Sequence, residues 1–168
     1  LIDAAPDLVI LRGGSINDLQ GAFDAASAAS LVDSCTANHR EILRRMVVDG
    51  GLKVLDCGIF GYGDGLMASS GTPGAVRSAL LKVNANLAAM AGESQFGGKV
   101  RHVSALGTLH DSTGKFISGM TNDGLHLSLA GGLAQARLEA DAITAWLGEG
   151  TGIAYPGTNL LSNADMST

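Results

Sequence analysis

Short apolar runs that read as strands alternate with longer stretches of helical period, and this order constrains the chain more than any other feature. Leu8-Val9-Ile10-Leu11 is a continuous apolar run of strand length, the pattern of a strand covered on both faces. Residues 30–49 follow with Val32, Cys35, His39, Ile42, Leu43, Met46 and Val47 on one helical stripe, stopped by Gly50-Gly51. Lys53–Ile59 reads as the second strand, and a glycine-rich loop runs from it to Gly71. Thr72 and Pro73 are N-cap and N1 of a second helix whose buried face is Val76, Leu80, Val83, Leu87 and Met90. Val100–Ala105 is the third strand. Ser128 caps a last helix with the stripe Leu129, Leu133, Ala136, Ala140, Ile143 and Leu147. Strands separated by helices require right-handed crossovers, and so a parallel sheet with helices on both faces: a three-layer α/β/α fold.

Composition agrees with a packed domain and removes several alternatives. Of 168 residues, 46% are hydrophobic and 16% charged, which is unlike a disordered chain. Aromatics make up only 4%, so the core must be aliphatic. A net charge of −5 speaks against a large phosphate-binding surface and hence against nucleic acid as a partner. No apolar run approaches the ~18 residues of a membrane span. Cys35 and Cys57 have no metal-ligand or disulfide spacing and read as small buried hydrophobes. Gly114-Lys115 lacks the upstream glycines and the Ser/Thr of a phosphate loop.

In sheets of this kind ligands sit beyond the carboxyl ends of the strands. Two loops there carry reactive groups. Asn17 follows the first strand, and an Asn amide can donate to an oxyanion, a contact worth about 3–4 kcal/mol in a transition state. Asp123 and His126 stand three apart, a spacing that lets the carboxylate fix the imidazole tautomer and leaves the other ring nitrogen as a base. His39 and His102 read as packing or surface histidines, and His110 carries no role. Gly61-Tyr62-Gly63-Asp64-Gly65 is a candidate for the rim of a substrate site.

Two segments extend this reading. Pro6–Leu11, the glycines after it and Asn17-Asp18-Leu19 resemble the third conserved block of the SGNH (GDSL-type) hydrolases, and Asp123-Gly124-Leu125-His126-Leu127-Ser128 resembles their last block. The Lys53–Ile59 strand, Val83–Leu87 and the Asp111–Gly114 turn fall between them in the family's order, so the resemblance covers residues 1 to about 147. It implies a flavodoxin-like fold, here missing its first strands, and Ser-His-Asp ester hydrolysis without metal or cofactor. Under it His126 is the base, Asp123 its orienting acid, and Asn17 with Gly14 the oxyanion hole. The segment Gly14-Ser15-Ile16-Asn17-Asp18 is one residue longer than the family's Gly-x-Asn-Asp.

The family's nucleophile block does not occur between residues 1 and 168, and it is expected upstream of Leu1. Ser15 is the alternative nucleophile, disfavoured because no oxyanion block follows it. Substrates of this class are small-molecule or carbohydrate esters. Residues 148–158 read as a linker and 159–168 as the start of a further β-sandwich module. Together they suggest a modular protein, with an extracellular, cell-surface or virion-associated setting such as a phage tail. The competing class is a non-catalytic structural or glycan-binding domain of such a protein.

Overall fold

The structure is a computed structural model that describes residues 6–12, 16–61, 63 and 71–148. Three strands, β1 (Leu8–Leu11), β2 (Lys53–Asp56) and β3 (Val100–His102), form one sheet in the order β1-β2-β3. Both pairings are parallel, with Val9 opposite Val54 and Val54 opposite Val100. The helices are α1 (Ala25–Leu43), α2 (Pro73–Ala91) and α3 (Leu129–Leu147). The expected α/β architecture is present.

Side chains alternate along the strands and divide the core into two layers. Val9, Val54 and Val100 pack with Val32, Cys35, Leu43 and Val47 from the α1 side and with Val76, Val83, Leu87 and Met90 of α2. Leu55, Cys57 and Val103 face the other way, where Leu8, Leu138, Ala142 and Ile143 close a smaller cluster under α3. Each fully buried aliphatic side chain stabilises by about 1.5–3 kcal/mol, so the first layer carries most of the stability. Both cysteines are free and buried, and burial pushes the thiols up to about 11 at Cys35 and about 12 at Cys57. They behave as inert small hydrophobes.

Helix α1 begins five residues before the expected start, because Asp24 and Ser27 form a reciprocal capping box. After Leu43 it widens into a π turn over Arg44–Asp49. This keeps His39, Leu43 and Val47, spaced by four, on the inner face and leaves Ile42 exposed. Strands β2 and β3 are shorter than expected and end at Asp56 and His102. The five-residue stripe of α2 is buried as expected. Thr72 occupies its N-cap position without a side-chain cap, and its hydroxyl donates to the Phe23 carbonyl at 2.7 Å.

Helix α3 corrects the sequence reading. Its buried residues are Gly131, Gln135 and Glu139, whereas Leu129 (81%), Leu133 (44%) and Leu147 (43%) are exposed, as are Ala136 and Ala140. Only Ile143 of the expected stripe joins the core. On the inner face the Arg12 guanidinium, just past the end of β1, grips both Glu139 carboxylate oxygens at 2.8 and 2.6 Å. Gln135 Nε2 donates to the same carboxylate at 2.5 Å and Cys57 Sγ contacts it at 3.4 Å. A charged group of this kind goes inside only when so paired. The exposed row on α3 and Ile10 of β1 (45%) leave apolar surface at this side of the sheet.

Candidate functional site

The Asp123–His126 turn is built almost wholly from its own residues. The Asn122 N–H donates to the His126 carbonyl at 3.1 Å, and Thr121 and Leu127 pair across the same turn. Gly124 takes φ +80, a conformation that strains any other L residue. Asp123 Oδ1 accepts the N–H groups of Leu125 (2.9 Å) and His126 (2.7 Å), while Oδ2 lies 2.7 Å from His126 Nδ1. One carboxylate thus fixes the backbone with one oxygen and the imidazole with the other.

These contacts set the electrostatics of the pair. The His126 ring, then the two backbone N–H donors, hold the Asp123 carboxyl well below the usual carboxylate range. The His126 side chain is 74% exposed, with Nδ1 committed to the carboxylate and Nε2 on the other side of the ring. Two residues later Ser128 caps α3 by accepting the Gly131 N–H at 3.0 Å, and its own hydroxyl donates to the Gly119 carbonyl. A Cβ at Gly131 would stand 2.1 Å from the Met120 carbonyl oxygen, so helix and turn are packed backbone to backbone.

Asn17 stands in a 3-10 turn, Ile16–Leu19, that follows β1. Leu19 anchors this turn in the main core, and Gln20 Nε2 donates to Asn17 Oδ1 at 2.9 Å, which orients the amide with Nδ2 as its donor. Gly14 and Ser15, the other two residues singled out in this loop, lie outside the described residues. The structure therefore brings Asp123 and His126 into direct contact, and sets Asn17 on a separate loop at the same carboxyl end of the sheet. The exit of β2 meets the Asp123–His126 turn. There the Gly63 N–H donates to the Gly124 carbonyl at 2.6 Å. Gly61 and Gly63 of the expected rim are described, and Tyr62, Asp64 and Gly65 are not.

Sequence reasoning missed one polar cluster entirely. Asp56, at the end of β2 and fully buried, receives His39 Nε2 at 3.0 Å and His102 Nδ1 at 2.9 Å. Burial alone would raise its carboxyl; the hydrogen bonds from His102 and His39 outweigh this and hold it well below the ordinary aspartate range. His110 is also buried, with its ring 4.2 Å from that of Phe116, and burial depresses it to about 4 against smaller opposing effects of the Gly114 backbone and Asp111. Among the described residues no group of three or more His, Cys, Asp or Glu is placed to hold a metal ion. Among them, too, no helix is long and apolar enough to cross a membrane.

No protein-family model matches the chain, and no curated protein does so significantly. Two solved structures share its fold. One is a proposed platelet activating factor from Streptococcus pneumonia, at TM-score 0.58 and 20% identity, covering 80% of this chain and 58% of that one. The other is a proposed acylhydrolase from Bacteroides fragilis NCTC 9343, at TM-score 0.56 and 20% identity, covering 86% of this chain and 64% of that one. The chain thus spans less than two thirds of the length of either structure, and its strands and helices follow the arrangement of an acylhydrolase fold.

Proposed function

We propose that residues 1–147 form the acid–base and oxyanion part of a serine ester hydrolase of the SGNH type. The observation that carries this reading is the 2.7 Å contact of Asp123 Oδ2 with His126 Nδ1 on an exposed turn at the carboxyl end of a parallel sheet. The fold likeness to a proposed acylhydrolase supports it. The nucleophilic serine is supplied by a segment of the full-length chain outside residues 1–168. The apolar surface left by Ile10, Leu129 and Leu133 supports a covering segment on that side.

In this mechanism the serine Oγ attacks the ester carbonyl while His126 Nε2 takes its proton. Asp123 stays ionised and stabilises the imidazolium. The tetrahedral oxyanion receives a hydrogen bond from Asn17 Nδ2, aided by the Gly14 backbone. Collapse breaks the ester C–O bond, and His126 returns the proton to the departing alcohol. Water then attacks the acyl-enzyme with His126 again as base, releasing the acid and regenerating the serine. No metal or organic cofactor takes part in this scheme. Small-molecule esters and carbohydrate O-acetyl esters are the proposed substrate class.

The test is hydrolysis of p-nitrophenyl acetate by the full-length chain and by its His126→Ala variant. The expected result is turnover that falls at least about 1,000-fold on substitution, as for other catalytic triads. Unchanged turnover in His126→Ala overturns the assignment. Glycan binding without turnover replaces it with a non-catalytic carbohydrate-binding domain.

A further inference from the structure

The β2 exit is held with a precision that a mobile connector does not need. Asp56 Oδ1, already paired with His39, also accepts the Gly58 N–H at 3.1 Å. Asn84 of α2 then pairs with Ile59 on both sides of its peptide: Oδ1 accepts the Ile59 N–H and Nδ2 donates to the Ile59 carbonyl, each at 3.0 Å. The approach is so close that a Cβ at Gly58 would stand 2.2 Å from Asn84 Oδ1. The Phe60 ring lies 6.4 Å from that of His110. Three residues beyond Phe60, Gly63 meets Gly124 backbone to backbone. A Cβ on Gly63 would come within 3.1 Å of the Gly124 Cα, and one on Gly124 within 3.2 Å of the Gly63 Cα.

Asn84 has no packing reason to be where it is. It follows Val83 on a helix whose inner face is otherwise Val76, Ala79, Leu80, Val83, Leu87 and Met90. A polar side chain at such a position costs stability unless its hydrogen bonds are all made. Here they are made, to Ile59 and to the Leu80 carbonyl. Gly124, the residue touched by Gly63, is the neighbour of Asp123 in the turn that carries His126.

We propose that Asn84 and Gly63 are positioning residues for the acid–base pair. Asn84 fixes the course of the β2 exit, Gly63 transmits it through the backbone to Gly124, and the contact sets where the Asp123–His126 turn stands above the sheet. The inference rests on the hydrolase reading. A displacement of about 1 Å at a general base can lower turnover about 100-fold.

The experiment uses the full-length chain, p-nitrophenyl acetate, and a fluorophosphonate that counts reactive serines. Asn84→Ala and Gly63→Ala are each expected to lower kcat per titrated site about 10- to 100-fold, with KM within about twofold. Asn84→Ser keeps one hydroxyl for the Ile59 peptide and is expected to fall between wild type and Asn84→Ala, which covers the case that the alanine variant does not fold. In an Asp123→Asn background the ring is held in the tautomer that cannot act as base, so its placement no longer limits turnover and adding Asn84→Ala is expected to cost little more. Fewer titratable sites with normal turnover at each, or a full additional loss in the Asp123→Asn background, overturns the proposal. Activity that survives His126→Ala overturns instead the hydrolase reading beneath it.

Discussion

Asp123 and His126 are bound to each other twice: Oδ1 of the carboxylate accepts the His126 N–H at 2.7 Å, and Oδ2 meets the His126 ring at Nδ1, also at 2.7 Å. The backbone and the imidazole are therefore oriented by the same group. Such a short turn needs little support from the rest of the fold to keep the ring in one tautomer, with the proton on Nδ1 and the lone pair on Nε2.

Asp123→Asn separates the two bonds. The amide oxygen can still accept the backbone N–H groups, so the thermal melt is expected to stay close to that of wild type. The amide nitrogen facing Nδ1 is a donor and selects the wrong tautomer. Turnover of p-nitrophenyl acetate by the full-length chain is expected to fall by about 1,000- to 10,000-fold. Steady-state kinetics beside a thermal melt reads both quantities.

Gly131→Ala addresses the other end of the turn. Its Cβ would stand 2.1 Å from the Met120 carbonyl oxygen, and that neighbour is backbone, so α3 and the 119–128 loop must separate. Overpacking of this kind costs about 1–3 kcal/mol. Gly132→Ala, one residue on, meets nothing within 4 Å and serves as the control, expected to be neutral or slightly stabilising. Chemical denaturation of the two variants side by side distinguishes them.

Asp56→Ala should be among the most destabilising single changes in the domain, by about 2–4 kcal/mol, because it leaves His39 and His102 buried without the carboxylate that receives them. The pH dependence has a fixed sign. A carboxyl depressed in the folded state stabilises fully above the ordinary aspartate range, and the contribution is lost as pH falls below that range. Denaturation midpoints of wild type and variant are expected to differ most near neutrality and to converge in strong acid.

His110 produces the opposite kind of linkage from a paired histidine. Its folded value of about 4 lies below the ordinary 6.5, so the unfolded chain takes up the proton first. Stability from this group is complete above pH 6.5 and falls as pH drops from 6.5 to 4, by up to roughly 3 kcal/mol. His110→Leu, close in volume and apolar, is expected to flatten the stability–pH curve across that window. Urea denaturation at intervals of half a pH unit measures it.

Much of the fold is legible in the sequence because its signals are local. The stripe Val76, Leu80, Val83, Leu87, Met90 is buried as its period requires, and Pro73 opens that helix. Asp123 and His126 were legible for the same reason, since three residues and one turn suffice to join them. What escaped depends on partners far apart in the chain. The face that α3 turns to the sheet carries Glu139, gripped by Arg12 127 residues away, while Leu129, Leu133 and Ala136 point outward, and no local period announces that pairing. His39, Asp56 and His102 sit on three different elements and share no motif. Thr72 has the residue type of a cap, yet its hydroxyl bonds the Phe23 carbonyl, 49 residues away, and makes no cap bond.

The backbone contact between Gly63 and Gly124 also limits how such a domain can be recombined. Neither glycine has a side chain that a neighbour might accommodate by repacking, so a loop grafted at one position meets an unyielding surface at the other. Chimeras that exchange the β2 exit without the Asp123–His126 turn would carry two halves shaped for different mates, whereas joint exchange keeps the pair matched. In this architecture the two loops fit as one unit, although about sixty residues of sequence separate them.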